Sequence, residues 1–392
     1  MTKQKIMLCG DWAPGQYLVD DQHMMAPAIL NLEGPFLGVR DQVPPPSMKA
    51  GPSLYNSTLV KRDGPIVYNL ANNHYMDFGL HGHLSSLGEI ARNGHLHSGA
   101  VKTSLNRQTP AILDLNGTTV GVLSYCERQF GSAQPSRAGV CVLDHRTNDD
   151  IKKLKNSVDI VVVSVHAAAE LFPWPSPGRQ RAYRQLVLAG ADIVHGHHAH
   201  VPQGWEAFAN GHIFYGLGNY CADPKHWSNI PNALWSITPI IDVNDILSTP
   251  IILTAIIEGS EDKLVIRKAL PEEQFRHNEY IAACNAPLSD ETLLSALWQE
   301  YSICSYEATF ASWLGSATGP IEVLKYVARS GLAWFGSARR KRMNALRYHL
   351  FSCESHQEAI TTALGLMCGE IEDLRSNRSK AIIESIGWCR ND

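Results

Sequence analysis

Four histidines lie close together in the stretch VHGHHAHVPQ, at positions 195, 197, 198 and 200. Neutral imidazole is the commonest metal ligand among protein side chains, so this cluster suggests a metal site. His198 and His200 are two residues apart and share one face of an extended segment, which makes them our preferred ligands. His195 is expected to be structural, and His197 is the alternative to His198. The other ligands must come from elsewhere in the chain.

Residues that could complete a metal site follow apolar runs that we predict to be strands. Asp11 ends the run KIMLCGD, Glu33 lies in AILNLEG, and His166 ends IVVVSVH. The other candidate residues follow the run IVYNL, and they are Asn72, Asn73 and His74. Ligands of α/β proteins gather at the carboxyl ends of sheet strands, so these residues can share one crevice. Taken singly, each has another interpretation, such as a turn residue for Asp11 or a hydrogen-bonded core histidine for His166.

The elements that must position these residues alternate between strands and helices up to about residue 270. GLHGHLSSLGEIARNG predicts a helix that stops at Gly94, and PGRQRAYRQLVLAGAD predicts a second helix that begins at Pro177. PAILDLNGTTVGVLSYC predicts a hairpin that turns at Asn116 and Gly117. The later runs HIFYGLGNY, LWSITPIIDV, IILTAIIE and KLVIRKAL each predict a strand. This mixed order favours a layered α/β or α+β domain over residues 1–272.

The apolar spacing becomes mostly helical after residue 272, so we expect a helical C-terminal region over residues 273–392. Its segment SARRKRMNALRYHL is strongly basic, through Arg339, Arg340, Lys341, Arg342 and Arg347. Such a run fits a solvated helix face, or a peripheral contact with an anionic polymer, a phosphate or a membrane surface. Near the start of the chain, VPPPS at 43–47 predicts a stiff loop at the rim of the site.

Composition bounds the classes of function that are open to the chain. Its 392 residues are 44% hydrophobic, with a net charge of -4, which argues against general attraction to nucleic acid. The first residues lack the apolar core of a secretion signal, and no window holds the roughly 18 apolar residues of a membrane span. The nine cysteines are scattered without a CxxC pair, which is typical of buried thiols in a reducing compartment. We therefore expect a cytoplasmic protein.

Six motifs occur in the same order as in a known family. They are GDW at 10–12, NLEGP at 31–35, LANNHYMDFG at 70–79, VSVHAAAE at 163–170, GHHAHVPQGWE at 196–206 and FYGLGNY at 214–220. In these motifs the chain resembles the CapA/PgsA-like capsule and poly-γ-glutamate biosynthesis proteins. That family is similar to the calcineurin-like metallophosphoesterases. The resemblance therefore implies a four-layer αββα sandwich with a two-metal centre.

The resemblance also implies roles for single residues. The implied ligands of two divalent cations are Asp11, Glu33, Asn73, His166, His198 and His200. His74 would act as a general acid or orient the substrate, and Glu170 would be a ligand, a base or a charge at a helix start. The implied substrate-binding residues are Asn72, Asp77, His197, Arg179 and Asn219. Oxygen and nitrogen ligands without thiolate admit manganese, iron or zinc.

Two motifs depart from the patterns that the resemblance implies. Phosphoesterases have Asp-x-His in the first motif, whereas here Ala13 stands two residues after Asp11. The first cation would therefore lack a histidine ligand, unless Glu170 compensates. The fourth motif of the family commonly reads His-Trp-Gly-x-Glu, and here Ala167 and Ala168 replace the Trp and the Gly.

Three functions stay open at this point. The first is a metal-dependent hydrolase of a phosphate ester in capsule or poly-γ-glutamate biosynthesis, with an anionic small molecule or polymer precursor as substrate. The second is a non-catalytic accessory protein of the same process, and the third is a hydrolase or transferase at a γ-glutamyl amide. The chain has neither a GxSxG nucleophile motif nor a Walker A loop. We favour the first function.

Overall fold

The computed structural model describes residues 4–15, 17–25, 27–37, 64–259, 262–311 and 337–388. The side chains of 337–343 and 346 are outside this description. The predicted VPPPS loop at 43–47 lies outside the described residues, and so do the side chains of Arg339, Arg340, Lys341 and Arg342. Arg347, the last basic residue of that segment, is exposed on a helix.

Seventeen strands and nine helices make up the described chain. The strands are β1 Lys5–Ala13, β2 Leu18–Asp21, β3 Ala28–Leu32, β4 Ile66–Asn69, β5 Leu96–Ser98, β6 Ala100–Val101, β7 Ala111–Leu115, β8 Thr118–Cys126, β9 Gly139–Val140, β10 Ile160–His166, β11 Ile193–His197, β12 Trp205–Phe208, β13 Gly211–Phe214, β14 Asn219–Ala222, β15 Trp235–Asp242, β16 Ile251–Gly259 and β17 Lys263–Lys268. The helices are α1 Gly79–Arg92, α2 Thr147–Lys155, α3 Pro177–Leu188, α4 Pro224–Trp227, α5 Pro271–Asn285, α6 Glu291–Ser305, α7 Ser337–Ser352, α8 Glu354–Cys368 and α9 Asn377–Ser385. A 3₁₀ turn, Ala286–Ser289, precedes α6, and a π-helical turn, Tyr306–Phe310, follows it.

Two large sheets and one short pair contain all of these strands. The first sheet runs β2-β17-β16-β15-β1-β3-β4-β5, with β14 added beside β1, and the second runs β12-β13-β11-β10-β8-β7. Strands β1, β3, β4 and β5 are mutually parallel, and so are β8, β10, β11 and β13. Parallel neighbours end at the same edge of a sheet, so each sheet presents several carboxyl ends together.

The two sheets pack against each other through alternate side chains of their strands. Leu8 and Ile29 of the first sheet share a buried cluster with Val122 and Val162 of the second. The alternate residues of β10, such as Val163, pack on the opposite side against α2 and α3. This division follows from the period of two along a strand. The predicted α/β class is confirmed.

The predicted hairpin and the two predicted helices are present, but one predicted strand is wrong. Asn116 and Gly117 form the hairpin turn, both with positive φ, as a two-residue turn of this kind requires. The run HIFYGLGNY forms two strands in different sheets, β13 and β14. The chain crosses between the sheets at Gly218, where φ is +82° and the carbonyl lies so close to Gly10 that a Cβ there would overlap it. Local apolar content could not reveal this break.

The described part of the C-terminal region is helical, as predicted. Its helices pack on the sheet domain through a cluster that joins Phe172 and Trp174 to Leu297, Leu350 and Ala363. The division of the chain at residues 272 and 273 stays a prediction. No helix within the described ranges is both long and apolar enough to cross a membrane. The cysteines of the described ranges are all free thiols.

Candidate metal centre

Asp11 lies where the carboxyl ends of the two sheets meet. It is buried in β1, and its neighbours across the sheet are Asn31 of β3 and Asn219 of β14. Asn31 donates a hydrogen bond of 2.8 Å from its amide to Asp11 Oδ1. The backbone N–H of His198 approaches Asp11 Oδ2 at 3.4 Å, so the loop after β11 closes onto the same carboxylate.

Two histidine rings of that loop also reach Asp11. His197 Nδ1 lies 3.1 Å from Asp11 Oδ1, and His200 Nδ1 lies 3.5 Å from Asp11 Oδ2. Burial raises the pKa of Asp11, but contact with His197 and the charge of His200 outweigh this effect and hold that pKa below its usual range. Asp11 is therefore an anion at neutral pH, and it attracts cations in a region shielded from water.

Glu33 provides a second buried carboxylate at the end of β3. Its Oε1 lies 3.6 Å from His200 Nε2 and 3.9 Å from His166 Nε2. Burial raises the pKa of Glu33 to about 8, and the carboxylates of Asp11 and Glu170 add to this effect against the opposing charge of His200. Burial lowers the pKa of His200, but the carboxylates of Glu33 and Asp11 outweigh this effect and raise that pKa to about 9. Near neutral pH the group thus retains protons on Glu33 and His200, which a bound cation would displace.

The ring of His200 is oriented by Asn219, which lies on β14 of the first sheet. Its Nδ1 lies 3.0 Å from the amide oxygen of Asn219, so Nδ1 is the donor and Nε2 faces Glu33. Histidines that ligate metals are commonly fixed in this way by a hydrogen bond at the other ring nitrogen. Asn219, predicted to bind substrate, therefore lies beside His200.

His166 and Asn73 form the third part of the centre. His166 ends β10, and its Nε2 lies 3.0 Å from the side-chain oxygen of Asn73. Asn31 contacts the other ring nitrogen, Nδ1, at 3.2 Å, which fixes the plane of the imidazole. Burial, together with His198 and the other nearby imidazoles, holds the pKa of His166 well below its usual value, so its ring is neutral. A neutral imidazole is the form that binds a metal.

His197 and His198 have different surroundings, which separates their roles. Both ring nitrogens of His197 have protein contacts, Nδ1 with Asp11 and Nε2 with Ser164 Oγ at 3.2 Å. His198 Nε2 lies 3.5 Å from Glu127 Oε1 and 3.5 Å from Gln129 Nε2. Burial lowers the pKa of His198 to about 3, so it is neutral. These contacts agree with His198 as a ligand and with His197 as a residue that positions Asp11.

The backbone of the histidine loop is strained. His198 has φ +86° and His200 has φ +59°, a region that non-glycine residues rarely adopt. Residues held in such conformations cluster at functional sites, because the surrounding structure must impose them. Here the strained turn presents His198 and His200 to the carboxylates.

Two groups of side chains in the described part of the chain could each hold a metal ion, and both contain His200. One comprises Asp11, Glu33 and His200, and the other comprises Glu170, His198 and His200. Within each group, one ligand atom of every residue lies within 4.8 Å of the others. A divalent cation fits this donor set, because it would supply the positive charge that the carboxylates now draw from protonated His200. Its binding would release that proton.

Glu170 lies at the exposed side of the second group. Its side chain is exposed, whereas those of His198 and His200 are buried. Although desolvation raises it, the rings of His198 and His200 lower the pKa of Glu170 to about 2. A carboxylate that is both ionised and accessible can meet a cation or a reactant at the open edge of the centre.

His74 and Asp77 form a pair in the segment between β4 and α1, directly after Asn73. Asp77 is buried at 2% exposure, and its Oδ2 lies 2.9 Å from Nδ1 of the half-buried His74. Asn72, between β4 and α1, bonds through its amide group to Leu32 O at 2.7 Å and accepts from the backbone of His74 and Tyr75. Both polar ends of Asn72 are thus engaged within the protein, and they shape the turn that carries Asn73 and His74.

Arg179 is placed apart from the ligand groups. It lies buried at the start of α3, and its guanidinium donates to Glu127 Oε2 at 3.0 Å. Ser355 of α8 donates to the same oxygen through its backbone N–H at 3.0 Å and its hydroxyl at 2.7 Å. Burial raises the pKa of Glu127 to about 7, against the lowering effect of Arg179 and Ser355. Arg179 thus joins the C-terminal helices to the sheet domain beside His198.

Several residues at the site were not singled out from the sequence. They are Asn31, Glu127, Gln129, Ser164, His349 and His356. Asn31 and Glu127 had a usable signal, because Asn31 lies near the end of a buried strand two residues before Glu33, and Glu127 directly follows another buried strand. His349 and His356 come from α7 and α8, and their rings are 4.8 Å apart. Each interacts electrostatically with Glu170, a relation that no local pattern predicts.

Comparisons with known proteins agree with the motif order. Residues 21–224 match the family model described as "Bacterial capsule synthesis protein PGA_cap". The capsule biosynthesis protein CapA of Bacillus anthracis is 30% identical over 171 residues, which are 42% of each chain. The PGA biosynthesis protein CapA of Bacillus subtilis (strain 168) is 29% identical over 226 residues, covering 53% of this chain and 58% of the relative.

A mycobacterial relative is similar over a shorter range. A probable polyglutamine synthesis accessory protein of Mycobacterium tuberculosis is 30% identical over 173 residues, covering 41% of this chain and 46% of the relative. The chain thus spans about half of the length of the curated relatives that it matches. The family model covers more than half of the chain, from the second strand to the start of α4. The chain belongs to the PGA_cap family of bacterial capsule synthesis proteins, as its CapA/PgsA-like motifs predicted.

Proposed function

We propose that the protein is a metal-dependent, phosphoesterase-like hydrolase that acts in capsule or poly-γ-glutamate biosynthesis. The observation that carries the proposal is the gathering of three carboxylates, Asp11, Glu33 and Glu170, around the imidazoles of His198 and His200, in two adjacent groups that could hold a divalent cation. Carboxylates and imidazoles packed this closely are the donor set of a dinuclear hydrolase, in which a carboxylate, with its two oxygens, can serve both cations. The biosynthetic role is supported by the similarity to the two capsule and PGA biosynthesis proteins of Bacillus.

The order of the helix and sheet layers supports this proposal more specifically than the α/β class does. The two sheets face each other, with α1 on the outer face of the first and α2 and α3 on the outer face of the second. We infer the four-layer αββα sandwich of the metallophosphoesterases from this arrangement. In such a sandwich the carboxyl ends of both sheets border one crevice, and that crevice contains Asp11, Glu33, His166 and His200.

The residues that would hold the two cations are those with buried oxygen and nitrogen donors. They are Asp11, Glu33, Asn73, His166, His198 and His200, with Glu170 at the exposed edge. When bound, two divalent cations supply a water of lowered pKa and charge that offsets a phosphoryl group. Ala13 removes one histidine from the first motif, and Glu170 offers a carboxylate near the same group. The metal itself, whether manganese, iron or zinc, stays open.

His74 is the residue that we assign to proton transfer. Asp77 accepts from Nδ1 of His74, which fixes the tautomer and the orientation of the ring. Nε2 is then the atom that would exchange a proton with the leaving oxygen of an ester. A positioned acid of this kind contributes about 10²–10⁴-fold to a rate. His197 and Asn219 keep Asp11 and His200 in place, and we assign them positioning rather than direct substrate contact.

A second function is favoured by one observation. Ala13 leaves the first motif without its histidine, which weakens one cation site and would suit an accessory protein that turns nothing over. The mycobacterial relative is named as a probable accessory protein of polyglutamine synthesis. Three further expectations from the sequence also stay predictions. They are a cytoplasmic location, a substrate of anionic character and a peripheral contact through the basic segment of α7.

Turnover by the manganese-loaded full chain decides between these functions. The assay compares a panel of phosphate monoesters and diesters with a γ-glutamyl peptide, for the wild type, His74→Gln and the exposed control His81→Gln. We expect phosphoester turnover that falls by about 10²–10⁴-fold in His74→Gln and is unchanged in His81→Gln. Absence of turnover in a metal-loaded wild type would favour the accessory function. Activity on the γ-glutamyl peptide alone would favour amide chemistry.

A further inference from the structure

A pocket of about 420 Å³ opens beside the exposed edge of the candidate metal centre. One wall comes from the sheet domain, with Glu170, Leu171 and Asn232. The opposite wall comes from the C-terminal region, with Tyr301, Ala308 and Trp388. Its size is within the range of small-molecule sites, which are commonly found between packed units of a protein.

The walls of this pocket are mainly apolar and are built from packed aromatic rings. Tyr301 stacks on Trp298, with ring centroids 5.0 Å apart and an angle of 23° between the rings. Trp388 lies 5.7 Å from Tyr301, and Phe172 lies 4.6 Å from it on the buried side. Because these rings are already held by one another, they lose little conformational freedom on contact with a ligand. Such a wall favours the flat apolar surface of a ring over a charged group.

The backbone around the pocket is strained in the same way as the histidine loop. Leu171 has φ +61° and Asn232 has φ +63°. Among the described non-glycine residues, the others with positive φ are the two strained histidines of the loop and the hairpin-turn residues Asn116 and Ala209. A branched apolar residue such as Leu171 adopts this conformation only where packing enforces it. Among the described non-glycine residues, positive φ outside hairpin turns thus occurs at the centre and at the pocket.

The opposite wall has an irregularity of its own. Ala308 lies in the π-helical turn Tyr306–Phe310 that continues α6. Turns of this kind are rare and are often found at functional sites, since they redirect side chains at a cost in helix stability. The turn places Ala308, which has a small and exposed side chain, at the pocket surface.

The pocket and the candidate centre are continuous through one segment. Glu170 belongs to a group of possible metal ligands with His198 and His200, and it also lines the pocket. The backbone N–H of the next residue, Leu171, donates to Ala199 O at 2.8 Å, between the two histidines. Glu170 therefore belongs both to the edge of the centre and to the pocket wall, and a ligand whose anionic end meets the centre at Glu170 lies next to the pocket.

We propose that this pocket binds the organic group of the substrate, an apolar ring-bearing group esterified to the phosphoryl group at the centre. The inference rests on the proposed function for the phosphoryl end, and it adds the class of alcohol or phenol that the enzyme prefers. The C-terminal helices then act in substrate selection, because they supply one wall of the pocket.

The test uses two non-hydrolysable probes, 1-naphthylmethylphosphonate and methylphosphonate, with the manganese-loaded full chain. Calorimetry gives the ratio of their affinities, which isolates the contribution of the ring. Ala308→Phe and, as a second variant, Ser305→Phe fill the pocket from its helical wall. Ala282→Phe is the matched control, because Ala282 is exposed on α5 and does not line the pocket. Thermal melting verifies that each variant is folded.

We expect the wild type and Ala282→Phe to bind the naphthyl probe about tenfold more tightly than methylphosphonate, or better. Both filled variants should lose most of this preference while they keep their affinity for methylphosphonate. A wild type without the preference, or filled variants that retain it, would overturn the proposal. Failure of phosphoester turnover with the preference intact would contradict the proposed function and leave the pocket assignment standing.

Discussion

The candidate site has two sides that are built by different means. The sheet side carries its polar residues at the ends of parallel strands, and the helical side carries His349, His356 and Ser355 on α7 and α8. Asp11 is placed by its register with Asn31 and Asn219, so its position follows from strand pairing. His349 has no such constraint, and its position depends on how the C-terminal helices pack on the sheet domain. The first side is therefore fixed by the register of paired strands and the second by the packing of helices on the sheet domain.

The joint between the two sides is a buried polar network around Glu127. Arg179 of α3 and Ser355 of α8 both donate to its Oε2, while its Oε1 lies 3.5 Å from His198. A buried carboxylate is costly unless it is paired and hydrogen-bonded. Glu127 therefore ties the helical side to the histidine loop.

Loss of the joint should have the largest effect on stability. In Arg179→Met, Glu127 stays buried without its cationic partner, so we expect the free energy of unfolding to fall by about 3–5 kcal/mol. The control is Arg181→Met on the same helix, whose exposed pair with Glu291 at 3.7 Å should be worth about 0–1 kcal/mol. Chemical denaturation of the two variants gives both values. Equal losses would show that the network around Glu127 does not join the two sides.

Loss of a positioning residue on the sheet side should affect metal binding more than folding. His197 bridges Asp11 and Ser164, so His197→Gln should weaken manganese affinity by about 10–100-fold. Calorimetric titration measures this change, and thermal melting of the metal-free protein checks that the fold is kept. Affinity equal to that of the wild type would place His197 outside the centre.

The metal-free protein should become less stable as pH rises. The folded pKa values of His200 and Glu33, about 9 and about 8, lie above their unfolded values of 6.5 and 4.5. The contribution of His200 is fully present below pH 6.5 and is lost as pH rises through 9, and that of Glu33 is lost through 8. We expect the Tm to fall by a few degrees between pH 6.5 and 9, and by less in His200→Gln. A Tm that rises over this window would contradict the described surroundings of His200.

The sheet side of the site could be predicted from the sequence better than the helical side. Strand ends were predicted because apolar runs bounded by polar residues mark them, and Asp11, Glu33, His166 and His200 all lie at such ends in one crevice. The break between β13 and β14 was missed, since it depends on the close approach of Gly218 to Gly10 from another strand. Arg179 was predicted to bind substrate, and the sequence did not indicate its contact with Glu127, a partner 52 residues away. Long-range pairing of this kind leaves no local pattern.

The number of manganese ions bound per chain tests the central claim most directly. After loading and desalting, elemental analysis of the wild type and of the exposed control His81→Ala should find about two ions per chain. His200→Ala should hold fewer, because both groups of possible ligands lose the imidazole of His200. A wild type that holds no ion, or a His200→Ala variant that keeps the wild-type number, would contradict the account of a dinuclear centre built around His200.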